Sequence, residues 1–110
     1  MARLATGIWV SAYLHRLGGE GIFAHIMHRG DDTAGAVLVK LATMDGQASA
    51  FQRSFDLATG DRTWVTLTSG AEPDVDAAIA RQRGFDPDLW VVEIEDPRGR
   101  HLLDDPTLSG

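Results

Sequence analysis

The chain contains no cysteine. That absence removes a disulfide framework, a thiolate zinc site and a cysteine nucleophile together, and it leaves the redox compartment open, because a chain without thiols is stable in either setting. Lysine is almost as scarce: of the 10 basic residues only Lys40 is a lysine. Positive charge is in deficit as well. With 16 acids against 10 bases the formal net charge is −6, which opposes non-specific attraction to nucleic acid or to an anionic membrane, so neither is expected as a partner. No run is long and apolar enough to cross a bilayer. Met1 to Ser11 lacks the apolar core and cleavage site of a secretory signal, so a cytoplasmic protein is expected.

What remains is ordinary for a folded domain. The hydrophobic share is 44% and the charged share 24%, too apolar for wholesale disorder. The arginine, alanine and glycine bias is that of a GC-rich bacterial genome. A chain of 110 residues has room for one domain. Residues 1–96 read as a single α+β domain, and 97–110, polar and punctuated by Pro and Gly, as a loose C-terminal tail.

Hydrophobic periodicity gives the element order α-β-β-β-β-α-β. Ile8 to Leu17 has Val10, Leu14 and Leu17 at helical spacing, with Thr6 as a cap and Gly18-Gly19 as the stop. Strands follow at Gly21 to Arg29, Ala36 to Thr43, Ala48 to Leu57 and Arg62 to Thr68. Asp45-Gly46 is the strongest hairpin signal among their turns. Pro73 starts a second helix, with Asp74 and Asp76 at its positive end, Arg81 and Arg83 at its negative end, and Val75, Ala78 and Ile79 as its apolar stripe. Leu89 to Glu95 is the last strand, with Trp90, Val92 and Ile94 on one face; both its faces begin apolar, as in an interior strand. A four-strand meander, a helix and a returning strand predict a mostly antiparallel sheet of about five strands with two helices on one face.

The residues able to carry chemistry are few. His25 and His28 invite a metal reading, but on a strand residues three apart point to opposite faces, so one site cannot take both and no metal is expected. Glu93 and Glu95 share a strand face about 7 Å apart along the chain, a spacing that could serve acid–base work. Alternation with Trp90, Val92 and Ile94 gives the plainer reading of a solvated face. Asp86 and Asp88 lie close in sequence, Asp86 also fitting an Asx turn before Pro87. Lys40 alternates against Val37, Val39 and Leu41, so it reads as solvated or edge-protecting rather than as a nucleophile. Gly18, Gly19 and Gly21 follow a helix and precede a strand, the reverse of a phosphate loop. No cofactor motif occurs.

Trp9-Val10-Ser11-Ala12, Arg29-Gly30-Asp31 with Ala34-Gly35, Val37-Leu38-Val39-Lys40 and the block from Phe85 to Glu95 together resemble a family of short bacterial proteins, domain of unknown function 1491. The resemblance runs from about Arg3 to Asp96, and the Phe85 to Glu95 block is its most specific part. Where the family often has two arginines late in the first helix, this chain has His15-Arg16. The resemblance implies a one-domain bacterial protein and brings no activity, cofactor or catalytic residue with it. The expectation is a small non-enzymatic binding or regulatory module, with a protein partner or self-association through a sheet edge or aromatic patch. The alternative is a small hydrolase-like acid–base enzyme using Asp86, Asp88, Glu93 or Glu95, with Arg29 or Arg53 holding an anionic substrate.

Overall fold

The computed structural model of the chain describes residues 4–108, apart from the side chain of Phe55. Expectations that touch residues 1–3, residues 109–110 or the Phe55 side chain lie outside the described residues. The elements come in the expected order: α1 (Thr6–Gly19), β1 (Phe23–His28), β2 (Val37–Ala42), β3 (Gln47–Phe55), β4 (Arg62–Ala71), α2 (Glu72–Phe85) and β5 (Trp90–Glu95), followed by a 3-10 turn at Pro106–Leu108. The fold is α+β, with one five-stranded sheet in the order β1-β5-β2-β3-β4.

The meander is shorter than expected. It comprises β2, β3 and β4, and β5 returns to lie between β1 and β2, antiparallel to the first and parallel to the second. The chain from β1 to β2 must therefore cross the start of β5 closely. Gly30 and Gly35 permit this: the Asp31 amide donates to the Asp88 carbonyl at 3.0 Å. A Cβ at Gly30 would collide with that carbonyl and the Trp90 ring, and one at Gly35 would lie 2.6 Å from the same oxygen. The Arg29-Gly30-Asp31 turn has its explanation in this crossing.

The two helices lie on opposite faces of the sheet, not on one. Trp9, Val10, Tyr13 and Leu17 of α1 cluster with Val37, Val39, Leu41, Trp90, Val92 and Ile94. Val75 and Ile79 of α2 cluster with Leu38, Ala48, Ala50 and Val91. The physical reason is visible in β2 and β5. Every residue of β2 is buried, and so are Trp90, Val91, Val92 and Ile94 of β5; strands apolar on both sides need cover on both sides.

The segment after β5 is not a loose tail over its described residues. Leu103 and Leu108 are buried in the α1-face core. Trp9 donates its indole N–H to the Leu108 carbonyl at 2.8 Å, and the Tyr13 hydroxyl donates to the His101 carbonyl at 2.7 Å. These bonds satisfy the polar ends of two otherwise buried aromatics, and burial raises the Tyr13 pKa far above its ordinary value. Asp96 starts the segment, accepting from the Arg100 backbone and guanidinium, which hold its carboxyl below the usual range.

Candidate functional site

Beneath α2 the sheet carries a buried ammonium. Lys40 lies mid-way along β2, between Leu38 and Ala42 on the α2 face, and is 2% exposed. Its Nζ reaches Asp76 at 2.6 Å, Glu72 at 2.7 Å and Glu93 at 2.8 Å. Local structure assembles this set. β4 runs directly into α2, and the Glu72 amide donates to the Gly46 carbonyl of the β2–β3 hairpin, fixing the helix start over β2. Asp76 follows one turn later on the same helix face. Glu93 is the register partner of Lys40 in the parallel β2–β5 pair. Burial pulls the lysine pKa down, but hydrogen bonds to Asp76, Glu72 and Glu93 outweigh it and leave the pKa above its ordinary value. Lys40 is thus neither solvated nor at an edge, and its charged form is the favoured one. Three carboxylates in contact with Nζ favour the ammonium over the neutral amine that a lysine nucleophile needs.

Glu93 extends the cluster to β1. His25 is its direct partner across the β1–β5 pair, and His25 Nε2 lies 3.4 Å from Glu93 Oε1. Glu95, two residues on, faces the same side. One ligand atom from each of His25, Glu93 and Glu95 lies within 4.8 Å of the others. Glu93 and Glu95 are both half-buried, so the expected solvated carboxylate face is not what the structure has. Their face belongs to the α2 layer, which the single-helix-face expectation left open to solvent. His28 takes no part: its Nδ1 lies 2.8 Å from the Leu89 carbonyl, past a bulge in the β1–β5 ladder.

A separate cavity of about 550 Å³ opens where α1, β2 and β5 begin and β3 and β4 meet their connecting turn. Trp9, Val37, Gln52, Arg53, Arg62 and Asp86 are among its lining residues. Arg53 pairs with Trp64 in the β3–β4 register, and Arg62 lies two residues before Trp64, so both arginines share a sheet face. The Arg53 guanidinium stacks 4.5 Å from the Trp9 ring centre and 5.2 Å from that of Trp64, an arrangement that holds its planar fork in one orientation.

The six candidates from the sequence do not come together. Asp86 and Arg53 share the cavity, although Asp86 Oδ1 also accepts the Asp88 amide at 3.0 Å, the Asx-turn role. Asp88 is exposed in that turn. Glu93 and Glu95 meet His25 on the α2 face. Arg29 lies over the Trp90 ring at 5.0 Å and reaches Asp32 at 3.6 Å. The sequence reading missed Glu72, Asp76, Arg62 and the role of His25. The Glu72/Asp76 spacing was a readable signal for one helix face; the β1–β5 pairing that brings His25 to Glu93 had no local signal.

A family model described as protein of unknown function (DUF1491) matches residues 4–104. No curated protein matches the chain. Among solved structures, a crystal structure of a DUF1491 family protein from Caulobacter crescentus CB15 is 44% identical, with a TM-score of 0.86 over 94% of this chain and 98% of that one. An NMR structure of a DUF1491 family protein from the same organism gives 44% identity and a TM-score of 0.83 over 96% and 97% of the two chains. The solution structure of protein Atu0922 from A. tumefaciens is 31% identical, with a TM-score of 0.73 over 86% of each chain.

Proposed function

The chain belongs to the DUF1491 family, whose description carries no activity, and from its own geometry we propose a non-enzymatic module of the bacterial cytoplasm that binds a small anionic molecule. The observation that supports this is the pairing of Arg53 and Arg62 in one cavity walled by Trp9. A cavity of about 550 Å³ is within the usual range for small-molecule sites, about 300–1,000 Å³. A wall that is part apolar, through Trp9, Val37 and Leu89, and part polar, through Gln52, Arg53 and Arg62, suits a ligand with an apolar body and a phosphate or carboxylate head. Arginine forks match such heads in bidentate geometry. α1 begins at the same cavity, through Thr6, and adds the positive end of its dipole.

The acid–base alternative needs two carboxylates at one reacting centre beside an arginine. Asp86 alone accompanies Arg53, whereas Glu93 and Glu95 neighbour a histidine and a lysine. The binding reading is therefore preferred. It is tested by amide NMR titration with inorganic phosphate, a nucleoside monophosphate and an aromatic carboxylate. At least one probe should give saturable shifts at Gln52, Arg53 and Arg62. Arg62→Gln should weaken that probe by roughly tenfold or more, the scale of one charge-assisted hydrogen bond. No saturable shift with any probe, or unchanged affinity in Arg62→Gln, would overturn the reading. Chemical conversion of a probe in the tube would move the assignment to the enzyme.

A further inference from the structure

On the α2 face, away from the arginine cavity, charge is out of balance. Glu72, Asp76 and Glu93 all contact the one ammonium of Lys40, and Glu95 stands beside Glu93 with its own carboxylate. Four carboxylates around one lysine leave an excess of negative charge on a surface that is only partly solvated. Glu93 spans the two halves of the cluster. Its Oε2 is held by Lys40 at 2.8 Å, while its Oε1 is turned to His25. Lys40 thereby fixes the Glu93 rotamer, as an outer partner orients a ligating carboxylate.

We propose that His25, Glu93 and Glu95 form a binding site for a single divalent transition-metal ion of the zinc class. The donor set is an imidazole nitrogen and two carboxylate oxygens, which favours zinc and its neighbours over magnesium or calcium, whose sites are built from oxygen alone. One ligand atom from each residue lies within 4.8 Å of the others, so closing them around one ion takes side-chain adjustment only. The three ligands come from adjacent strands locked in register, His25 directly opposite Glu93 and Glu95 two residues on, so the backbone is already placed. Phe23, the register partner of Glu95, packs its ring 6.1 Å from that of His25 and gives the site one apolar wall. His25 remains 45% exposed, which leaves the ion a path in from solvent. Three protein ligands leave a fourth tetrahedral position open to water or a partner.

The expectation of no metal paired His25 with His28 and treated Glu93 and Glu95 apart from either; the ligands that join His25 are supplied by β5. The test is isothermal titration of the full chain with Zn2+, with Mg2+ for comparison, in a buffer that does not bind metal. Zn2+ should bind at one saturable site, with the His25 ring resonances shifting in step. His25→Ala and Glu95→Gln should each weaken binding by at least about tenfold, since losing even an outer partner of a metal ligand costs about that much. His15→Ala, which removes an exposed histidine on α1, should leave it unchanged. Neither test residue is part of the buried core, and the amide spectra of the metal-free variants check that each folds. No saturable Zn2+ binding, retained affinity in both ligand variants, or Mg2+ binding as tight as Zn2+ would overturn the proposal.

Discussion

Under α1 the sheet meets Trp9, Tyr13, Leu17 and the apolar side chains of the C-terminal segment. Under α2 it meets Val75 and Ile79, and then a buried lysine with its ring of carboxylates. The first face is built from large side chains whose few polar atoms each find one backbone acceptor, as Trp9, Tyr13 and Trp90 do. The second packs α2 on small residues, Ala48 and Ala50, beside Leu38 and Val91, and places charge next to them. One face is held by area removed from water, the other partly by ion pairs without which its buried lysine would be an uncompensated charge. A substitution that breaks either face should therefore reveal which force it depended on.

The largest effect is expected on the α1 face. Trp90 is 1% exposed and donates its indole N–H to the Asp31 carbonyl at 2.7 Å. Trp90→Ala should cost about 3–5 kcal/mol, the usual penalty for deleting a large buried aromatic, read as a fall in the urea midpoint. Against a typical total of about 5–15 kcal/mol this approaches global unfolding. On the α2 face, Lys40→Met keeps the side-chain volume but strands the carboxylates, and it should cost about 3 kcal/mol. Asp76→Asn should cost no more than about 0.5 kcal/mol, because Asp76 is 49% exposed and two carboxylates remain on the lysine. The ratio of these last two sharpens the comparison. A neutral or stabilising Lys40→Met would mean that the ion pairs are dispensable and that the α2 face is held by apolar contact like its opposite.

The sequence was informative where periodicity is local. The two helices, the Asp45-Gly46 hairpin and the pairing of β5 as an interior strand all follow from spacing within a few residues of each other. Trp90, Val92 and Ile94 were placed on a helix-covered face by alternation alone, and they cluster with α1. What failed was any inference that needed the sheet order. Lys40 alternates with apolar residues in the same way whether β2 is an edge strand or a central one, and only the insertion of β5 beside it makes it buried. Glu93 and Glu95 read as solvated because the sequence does not say that a second helix covers their side. His25 and Glu93 are 68 positions apart in the chain and become neighbours through strand register. The candidate sites therefore lay in residues that were visible one at a time and invisible as sets. The C-terminal segment failed for a related reason: its polar composition hid Leu103 and Leu108, two apolar residues buried in the α1-face core.

The smallest predicted effect separates the two faces by pH. On the α1 face, His101 packs its ring 4.8 Å from Phe51, and its Nδ1 accepts the Leu103 amide at 3.0 Å, which requires that nitrogen to be unprotonated. Burial lowers its pKa from the ordinary 6.5, with Asp104 opposing in part. The unfolded chain then binds the proton more readily than the folded one, so stability is complete above the ordinary imidazole value and is lost as pH falls from there through the lower folded value. Lys40 on the α2 face behaves in the opposite sense. Its raised pKa gives stability that is complete below the ordinary value of 10.5 and is lost only as pH rises through the higher folded value. Between about pH 8 and about pH 5, therefore, the urea midpoint of the unaltered chain should fall more than that of His101→Gln, while its lead over Lys40→Met should stay nearly constant. Parallel curves for His101→Gln and the unaltered chain would show that the ring is as easily protonated folded as unfolded. The C-terminal segment would then be docked by Leu103, Leu108 and the hydrogen bonds from Trp9 and Tyr13, with no contribution from the protonation state of its own His101.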